Sequence, residues 1–530
     1  MTSKPSFRAG RTTVCWTGSA LHFSMGGERM NIFDNIVAAI SPRLACAREA
    51  WRQQLENMRS YDAASFGRLN AGWRTFNESA EITDRTSRDV IRARARDLER
   101  NSDIAQSILH AYKRNVVGRG YTLQAKTGND ELDEKIEKAW RQWCKARNCD
   151  VTGEQSFNQL LRMAIDRKKV DGGLLFLFRY TKQGMIPFQL QAIEVDELDI
   201  NVTTPKSRGN HVVGGIEYNK WRRPVGYWIR QYDIEGWQLN DPVYVDAKDV
   251  YFFKSKTRPS QLREMSDLAP TITRVRDTNE FITAVSVKER IAACLAVFIK
   301  RAVPSGGFGR GGTRTPDGGT DYEGKKLTPG MISTLGAGDG IETVNPGNSG
   351  SDAAGFLKTQ QALIAAGQGL SYEAVSRDMS GATYSSARQN AIEDESTYAE
   401  DVEMLTEFMS EVYETFVISC YLSGLIEMPG FWDKKAEYLS HTWTKAPKKW
   451  IDPAKESNAG KTALQSGQKT FQDICAEQGK DWKEAINEMA EVLEYGRTVG
   501  IELGGVIYGS GTAAQQNAPG TGKQSADGKE

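Results

Sequence analysis

The sequence predicts an α+β fold, mainly helical, with long helices that stand out from a mixed lobe. Three observations predict it. A tract over residues 302–350 holds 14 of the chain's 50 glycines and lies between a long amphipathic helix, residues 270–301, and a helical stretch that starts near Ser351. A second Gly/Ser loop, residues 375–386, opens into an acidic helix over about 387–423. Short β-branched or aromatic segments cluster between residues 174 and 254. At ~1.5 Å per residue the two long helices reach about 45 and 55 Å, lengths that suit struts in a tall assembly better than the core of a compact enzyme.

The totals bound the class. A chain of 530 residues exceeds one ordinary core, so two or more lobes are expected. Hydrophobic residues at 39% beside 26% charged ones describe a folded chain. Its 68 basic and 68 acidic residues cancel, which argues against a grip on nucleic acid by bulk charge and leaves only local patches. Cys15, Cys46, Cys144, Cys149, Cys294, Cys420 and Cys475 are scattered without a CxxC, and the four histidines add no zinc-ligand spacing. Thiols acting as small apolar fillers in a reducing cytosol fit that pattern, and no metal or other cofactor is expected. The longest unbroken apolar run, residues 291–299, falls far short of the ~20 residues of a membrane span, so a soluble chain is expected.

The elements follow in order. Residues 1–29 lack a clean apolar stretch and read as an N-terminal extension, disordered or removed, before an amphipathic run beginning at Asn31. An arm dotted with Tyr61, Phe66, Trp73 and Phe76 shows no clear period and calls for a partner surface to order it. The next helix carries Arg88, Arg92, Arg96 and Arg100 at i+4 spacing, a row that fits a solvated or intersubunit face or contact with phosphate. Asn101 or Ser102 breaks it and caps a second helix, whose Ile104, Ile108, Leu109, Tyr112 and Val116 share a face that Gly118 terminates. Helices over 130–145 and 157–168 precede strands over 174–178, 187–193, 212–218, 225–231 and 250–254. The acidic knot of Glu194, Asp196, Glu197 and Asp199 reads as strand-end surface, since no loop glycine or calcium-binding spacing accompanies it.

Pro270 stands at a helix start, where its missing N–H is harmless. Prolines and glycines bar a long regular element between about residues 304 and 321, with short strands possible at 331–334 and 341–344. The acidic helix repeats Val402, Leu405, Met409, Val412 and Phe416 along one stripe and Glu403, Glu407, Glu411 and Glu414 along another. Nine carboxylates between Glu393 and Glu414 have no Lys or Arg among them, so a neighbour must offset their repulsion. Helices over 453–466 and 482–495 form a C-terminal unit, and from Gly509 onward nothing is available to bury.

Enzymatic motifs fail on context. The GxGxxG at Gly307 to Gly312 does not stand at a strand-to-helix turn, and Gly460, Lys461 and Thr462 lack the first glycine of a P-loop because position 455 is Lys. There is no HExxH and no GxSxG, so a non-enzymatic protein is expected.

Several stretches, in order, resemble the lambda-type portal proteins of tailed bacteriophages. They are Arg96-Asp97-Leu98-Glu99-Arg100-Asn101 leading to Asn115-Val116-Val117-Gly118-Arg119-Gly120, and Arg258-Pro259-Ser260-Gln261 before Ser266-Asp267-Leu268-Ala269-Pro270. Tyr384-Ser385-Ser386-Ala387-Arg388 and Trp450-Ile451-Asp452-Pro453-Ala454-Lys455-Glu456 follow. The resemblance implies a ring, typically of twelve subunits, at one capsid vertex, through which double-stranded DNA is packaged and later ejected. It implies a wing over 30–260, a stem helix over 261–301, a clip over 302–350 and a second stem helix over 351–374. A tunnel loop over 375–386, a long helix returning to the wing over 387–430, a helical crown over 431–505 and a disordered tail over 506–530 complete it.

Its implied partners are the terminase large subunit, the head-tail connector, the major capsid and scaffold proteins and sequence-independent DNA, in the virion and, during assembly, the host cytoplasm. Ser376, Arg377, Asp378, Met379, Ser380, Tyr384 and Arg388 are the candidates for the DNA-facing loop, Arg377 and Asp378 alternatively pairing with each other. Arg310, Arg314, Lys325 and Lys326 are candidates for docking, and the four glutamates Glu403, Glu407, Glu411 and Glu414 for a channel or intersubunit face. Translocating DNA calls for weak, sequence-blind contacts, which zero net charge permits. Alternatives are another phage structural ring, of tail or baseplate, and a soluble nucleotide-binding hydrolase built on the glycine tract.

Overall fold

A computed structural model describes residues 41–59, 72, 73, 75, 77–238, 241–293, 297–301, 339–343, 353–446, 453–480 and 482–500. The chain divides into two compact units, residues 1–77 and 78–530. Within the first, Pro42–Arg59 forms helix α1, ahead of the arm that shows no clear period.

The second unit begins with helices α2 (Ala80–Arg85), α3 (Arg88–Asn101) and α4 (Asp103–Tyr112). Ser102 ends α3 and caps α4 by accepting from the Ala105 amide, as its hydroxyl predicts. The helix does not run straight to Gly118: Lys113–Val117 widens into a π turn that closes with the Gly118 amide donating to the Lys113 carbonyl at 3.0 Å. Strand β1 (Tyr121–Ala125), α5 (Asp130–Trp143), α6 (Ala146–Cys149) and α7 (Phe157–Asp171) follow. Gly172, at φ +91°, turns the chain from α7 into β2 (Gly173–Arg179).

Strand β2 is the centre of a three-stranded antiparallel sheet, between β3 (Gln189–Ile193) and β8 (Val250–Lys254). Its side chains alternate between two apolar clusters: Leu174, Phe176 and Phe178 enter the main core, while Leu175 and Leu177 enter a second. Burial on both faces explains why the strand reads as a continuous apolar run rather than as an alternation. The second cluster also includes Ile216, Tyr218, Tyr227 and Ile229, from a four-stranded sheet of β4 (His211–Val213), β5 (Ile216–Tyr218), β6 (Pro224–Ile229) and β7 (Val243–Asp246). Gly214 and Gly215, both at positive φ, split the single strand expected over 212–218 into β4 and β5. Strand β7 has no counterpart in the sequence reading.

Helix α8 covers Ile272–Ala293, shorter than expected, because the chain re-enters as strand β9 (Val297–Arg301). That strand pairs antiparallel with β10 (Asp339–Thr343), and Ala353–Gly367 returns as α9. The β-branched and aromatic Val297, Phe298 and Ile299 favour strand over a further helical turn. Helices α8 and α9 run antiparallel, with Phe281 and Phe356 rings 4.7 Å apart and Arg274 donating to Gln360 at 3.2 Å. The segment expected to lack regular structure, residues 304–321, and the strand expected at 331–334 lie outside the described residues.

After α10 (Tyr372–Ser376), helix α11 spans Tyr384–Leu422, 39 residues or about 58 Å. The expected stripe of Leu405, Met409, Val412 and Phe416 is fully buried and runs through the main core, with Val402 packed at its margin. Phe408 stacks on Phe176 at 4.5 Å, and Trp140, Trp143 and Phe157 surround Phe416 or each other at 5.0–5.6 Å. Trp143 also satisfies its indole N–H on the Phe188 carbonyl at 2.9 Å. Helix α12 (Lys435–Tyr438) leads to β11 (His441–Lys445), which pairs antiparallel with β1 across more than three hundred residues of chain. The C-terminal helices are α13 (Pro453–Gln465), α14 (Phe471–Glu477) and α15 (Trp482–Val499).

Only the last arginine of the α3 row, Arg100, is exposed; Arg88 and Arg92 are buried and Arg96 is partly so, so most of the row is not a solvated face. Arg88 meets Glu81 at 3.0 Å, Arg92 meets Asp196 at 2.8 Å, and Arg96 meets Asp171 and Asp196 at 2.6 Å. The acidic knot is thereby absorbed, with Arg230 2.6 Å from Asp199 and Glu197 capping its own 3-10 turn. Desolvating such groups is tolerated only with paired opposite charge, which the row and the knot supply to each other. Among the described residues no group of His, Cys, Asp and Glu has the arrangement of a metal site. Cys149 and Cys420 are buried free thiols, pushed by burial up to about 12. Among the described residues no helix is long and apolar enough to cross a membrane.

Candidate functional site

Residues 377–381 form an exposed turn on a heavily anchored base over residues 367–376. Gly367 packs so close to Thr271 that a Cβ would stand 2.7 Å from its methyl, and Gln368 donates to the Thr271 hydroxyl at 2.9 Å and to the Asp267 carbonyl at 3.2 Å. The Tyr112 hydroxyl donates to the Gln368 carbonyl at 2.6 Å, and the Ser107 hydroxyl to the Val375 carbonyl at 2.5 Å. Ser371 gives both its amide and its hydroxyl to the buried Asp394, at 2.6 and 2.7 Å, while its oxygen caps α10. Asn390 of α11 reaches Glu373 at 2.9 Å. Helix α10 is therefore clamped between α4 and α11.

Arg377 ends α10 in the left-handed region, φ +57°, an uncommon conformation for a residue with a side chain. Beyond it Asp378 folds the chain back: its amide donates to the Ser376 hydroxyl at 3.1 Å, and its carboxylate accepts from the Ser380 amide at 2.9 Å and from Tyr372 at 3.4 Å. Hydrogen bonding from Ser380 lowers the Asp378 carboxyl below its usual range. Asp378 is thus committed to the turn, and no ion pair joins it to Arg377 among the described residues. Met379 is 55% exposed, and Ser380 and Gly381 are exposed as well. Thr383 starts α11 with a capping box formed with Ser386, placing Tyr384 in the first turn and Arg388 exposed in the second.

Three cations near this turn escaped the sequence reading because they come from remote elements. Lys358 of α9 lies 5.4 Å from the Tyr372 ring centre, and Lys455 of α13 lies 4.6 Å from that of Tyr384. Arg114, in the π turn, is near enough to Arg377 to be held below the usual guanidinium range, by burial first and by the second positive charge next. No spacing in the sequence signals these meetings.

The acidic candidates occupy the other end of α11. Glu403, Glu407, Glu411 and Glu414 are all exposed. Glu407, Glu411 and Glu414 line an open groove with Thr406, Ser410, Thr442 and Trp443, whereas Glu403 does not. The Glu411 carboxyl is raised, by desolvation and then by Glu414. Among the described residues none of these four has an ion-pair partner, so the mutual repulsion expected from the sequence persists in the single chain. Arg310, Arg314, Lys325 and Lys326 lie outside the described residues, as does the GxGxxG tract. Gly460 and Lys461 stand inside helix α13, where no phosphate-cradling loop exists.

Comparison with known proteins converges on one group. The chain is 26% identical over 466 residues to the probable portal protein of Halomonas phage phiHAP-1, covering 84% of this chain and 88% of that protein. It is 20% identical over 494 residues to the portal protein of Escherichia phage N15, with 82% and 90% covered. It is 19% identical over 479 residues to portal protein B of Escherichia phage lambda, with 83% and 90% covered. Among solved structures, a chain from the virion of a native gene transfer agent particle aligns over 74% of this chain and 98% of its own, at 14% identity and a TM-score of 0.40. The neck of the native particle with C12 symmetry aligns over 73% and 95%, at 14% identity and a TM-score of 0.39. A model of the phage portal proteins of the lambda family matches residues 66–401, well over half of the sequence, and the chain belongs to that family.

Proposed function

We propose that copies of this chain close into a homododecameric ring at the capsid vertex, a passive conduit through which double-stranded DNA is packaged and later ejected. In this reading the terminase large subunit supplies the force, and the head-tail connector replaces it once the head is full. The observation that carries the proposal, beyond family membership, is an exposed turn at residues 377–383 held on a base clamped at Ser107, Tyr112 and Asp394. A fixed base with an exposed tip is suited to brief contact with a moving duplex, since firm neutralisation of each phosphate would stall it.

Ser376, Arg377, Met379, Ser380, Tyr384 and Arg388 are assigned to that contact, with Asp378 shaping the turn. The α8–β9 and β10–α9 arms are assigned to the stem, with the segment between β9 and β10 as the clip. Arg310, Arg314, Lys325 and Lys326 dock the terminase and connector there. Major capsid and scaffold proteins are assigned to the wing. The exposed glutamates Glu403, Glu407, Glu411 and Glu414 meet a neighbouring copy or line the channel, and a cation brought by a neighbour would offset their mutual repulsion. The protein works in the virion after assembly in the host cytoplasm, with no catalysis of its own.

Deleting residues 377–380 tests the assignment. Rings that still assemble, in electron micrographs, but no longer package or retain DNA are the expected outcome. Normal packaging by the deletion variant would instead favour a tail or baseplate ring.

A further inference from the structure

The turn between β5 and β6 sets three cations beside a bare indole. Lys220, Trp221, Arg222 and Arg223 are all exposed, Trp221 at 76%. The Lys220 ammonium lies 4.9 Å from the Trp221 ring centre, and among the described residues no carboxylate pairs with Lys220, Arg222 or Arg223. For the single chain this arrangement gains nothing, because apolar area stays in water and like charges stay close together.

The turn is nonetheless firmly built. The Asn219 side-chain oxygen accepts from the Trp221 and Arg223 amides at 2.9 and 3.0 Å. The Asn219 carbonyl accepts from the Arg222 amide at 2.9 Å, and the Asn219 amide donates to the Arg223 carbonyl at 3.0 Å. These bonds hold Arg222 in the left-handed region, φ +60°, a conformation shared among the described non-glycine residues only with Arg377. A backbone fixed beforehand loses little freedom on binding, and Trp and Arg are the side chains on which interface energy concentrates.

The acidic groove of α11 has the matching chemistry. Glu407, Glu411 and Glu414 stand around the half-buried Trp443 in an open space of about 830 Å³. An occupant that suits it has an apolar body and cations at its rim, as the turn does. No ion pair joins turn and groove within one copy. Leu174, Phe176 and Phe178 of β2 face the core that α11 enters, whereas Leu175 and Leu177 face the four-stranded sheet that carries the turn. Helix and turn therefore lie on opposite sides of the three-stranded sheet. Two complementary faces on opposite sides of a subunit make a head-to-tail contact, the kind that closes a ring.

We infer that the turn at Lys220–Arg223 docks into the Glu407–Glu414 groove of a second copy of this chain, with Trp221 seated towards Trp443 and the cations on the carboxylates. A nucleic-acid duplex would engage the cations but leave the indole in water, whereas the groove takes both. The contact rests on the ring reading and gives the glutamates their partner.

The test uses the purified full chain, with mass photometry counting rings and single copies across a dilution series at low salt. Arg222→Asp with Arg223→Glu reverses the turn, aspartate being tolerant of the left-handed conformation, and Glu407→Lys with Glu411→Lys reverses the groove. Each reversal is expected to raise the concentration for half-assembly about tenfold, and the chain carrying both to recover most of that loss. A combined variant no better than either reversal, or reversals that assemble like the parent, overturns the contact. Should a reversal fail to fold, benzoylphenylalanine in place of Trp221 decides by photo-cross-linking in a mixture of isotope-labelled and unlabelled copies. Cross-links to residues 406–414 or 442–443 of another copy are expected, and cross-links only elsewhere overturn the proposal. So does a turn reversal that weakens binding of a fluorescent duplex and leaves rings intact. If rings persist through both reversals, the contact alone fails; if the parent shows no annulus in micrographs, the ring reading fails with it.

Discussion

Lys168 of α7 and Asp401 of α11, 233 residues apart in the chain, meet at 2.6 Å with both side chains almost wholly buried. Lys169 joins Asp401 at 2.9 Å, and both lysines reach Asp267, at 2.8 and 3.1 Å, just ahead of α8. Two cations and two anions therefore balance where the core, the α8–α9 hairpin and the long helix come together. Burial opposes ionisation of Asp401, but the charges of Lys169 and Lys168 overcome it and keep its carboxyl below the usual range.

Asp401→Asn strands two buried lysines with one counter-charge, and a loss of about 3–5 kcal/mol is expected. The double change Lys168→Met with Asp401→Leu removes a pair rather than one partner and loses less. Thermal unfolding followed by fluorescence ranks the variants, and a double variant less stable than the single one would contradict this account.

Acid stability depends on Glu264. Its burial is outweighed by the charge and hydrogen bonds of Arg263, 2.7 Å away, and then by Arg92 and Arg88, lowering the carboxyl to about 2. A folded value below the unfolded one means that this contribution is complete above about pH 4.5 and is lost as pH falls towards 2. Glu264→Gln is expected to lower stability at pH 7 and to flatten the decline between pH 4.5 and 2, read from unfolding midpoints across that range.

The two stripes of α11 should respond oppositely. Phe416→Ala empties a fully buried aromatic site and costs about 3–5 kcal/mol. Glu407→Gln, on the exposed acidic groove, relieves repulsion and changes stability by less than about 0.5 kcal/mol. Chemical denaturation of both variants under one condition checks the contrast.

Gly172 combines φ +91° with a backbone approach that leaves a Cβ only 2.5 Å from the Met265 carbonyl carbon. Gly172→Ala therefore moves backbone rather than a side-chain tip, and a loss of roughly 1–3 kcal/mol or failure to accumulate folded protein is expected. Its unfolding midpoint, measured beside that of an alanine at the open, unhindered Gly424, isolates the steric part, because both positions have positive φ.

Arg377→Gly separates conformation from charge. Glycine adopts φ +57° without the penalty of about 1–2 kcal/mol that a side chain incurs, so the variant should be as stable as the parent or slightly more so. Packaging efficiency is nonetheless expected to fall, because the charge assigned to DNA is gone. A stability loss with unimpaired packaging would remove Arg377 from the loop's function.

Short-range features were legible. The apolar stripe of Leu405, Met409, Val412 and Phe416, the Ser102 cap, the strand at Val250–Lys254 and the Gly/Ser turn ahead of the long helix all follow from periods and caps a few residues wide. Strands β1 and β11 were not legible, since each is stabilised chiefly by pairing with the other, far away in sequence. Helix α8 was read as too long because helical periodicity has no term for a strand partner arriving from Asp339–Thr343.

By itself the sequence determined most of the helices, the buried face of α11, the exposed loop and the family motifs, because each depends on residues that are neighbours along the chain. Only the tertiary structure decided the fate of the charges. Arg88, Arg92 and Arg96 carry the same spacing whether they face water or Glu81, Asp171 and Asp196, and Lys168 meets Asp401 across 233 residues. Electrostatic free energy depends on distance and desolvation, and neither is set until the chain has folded.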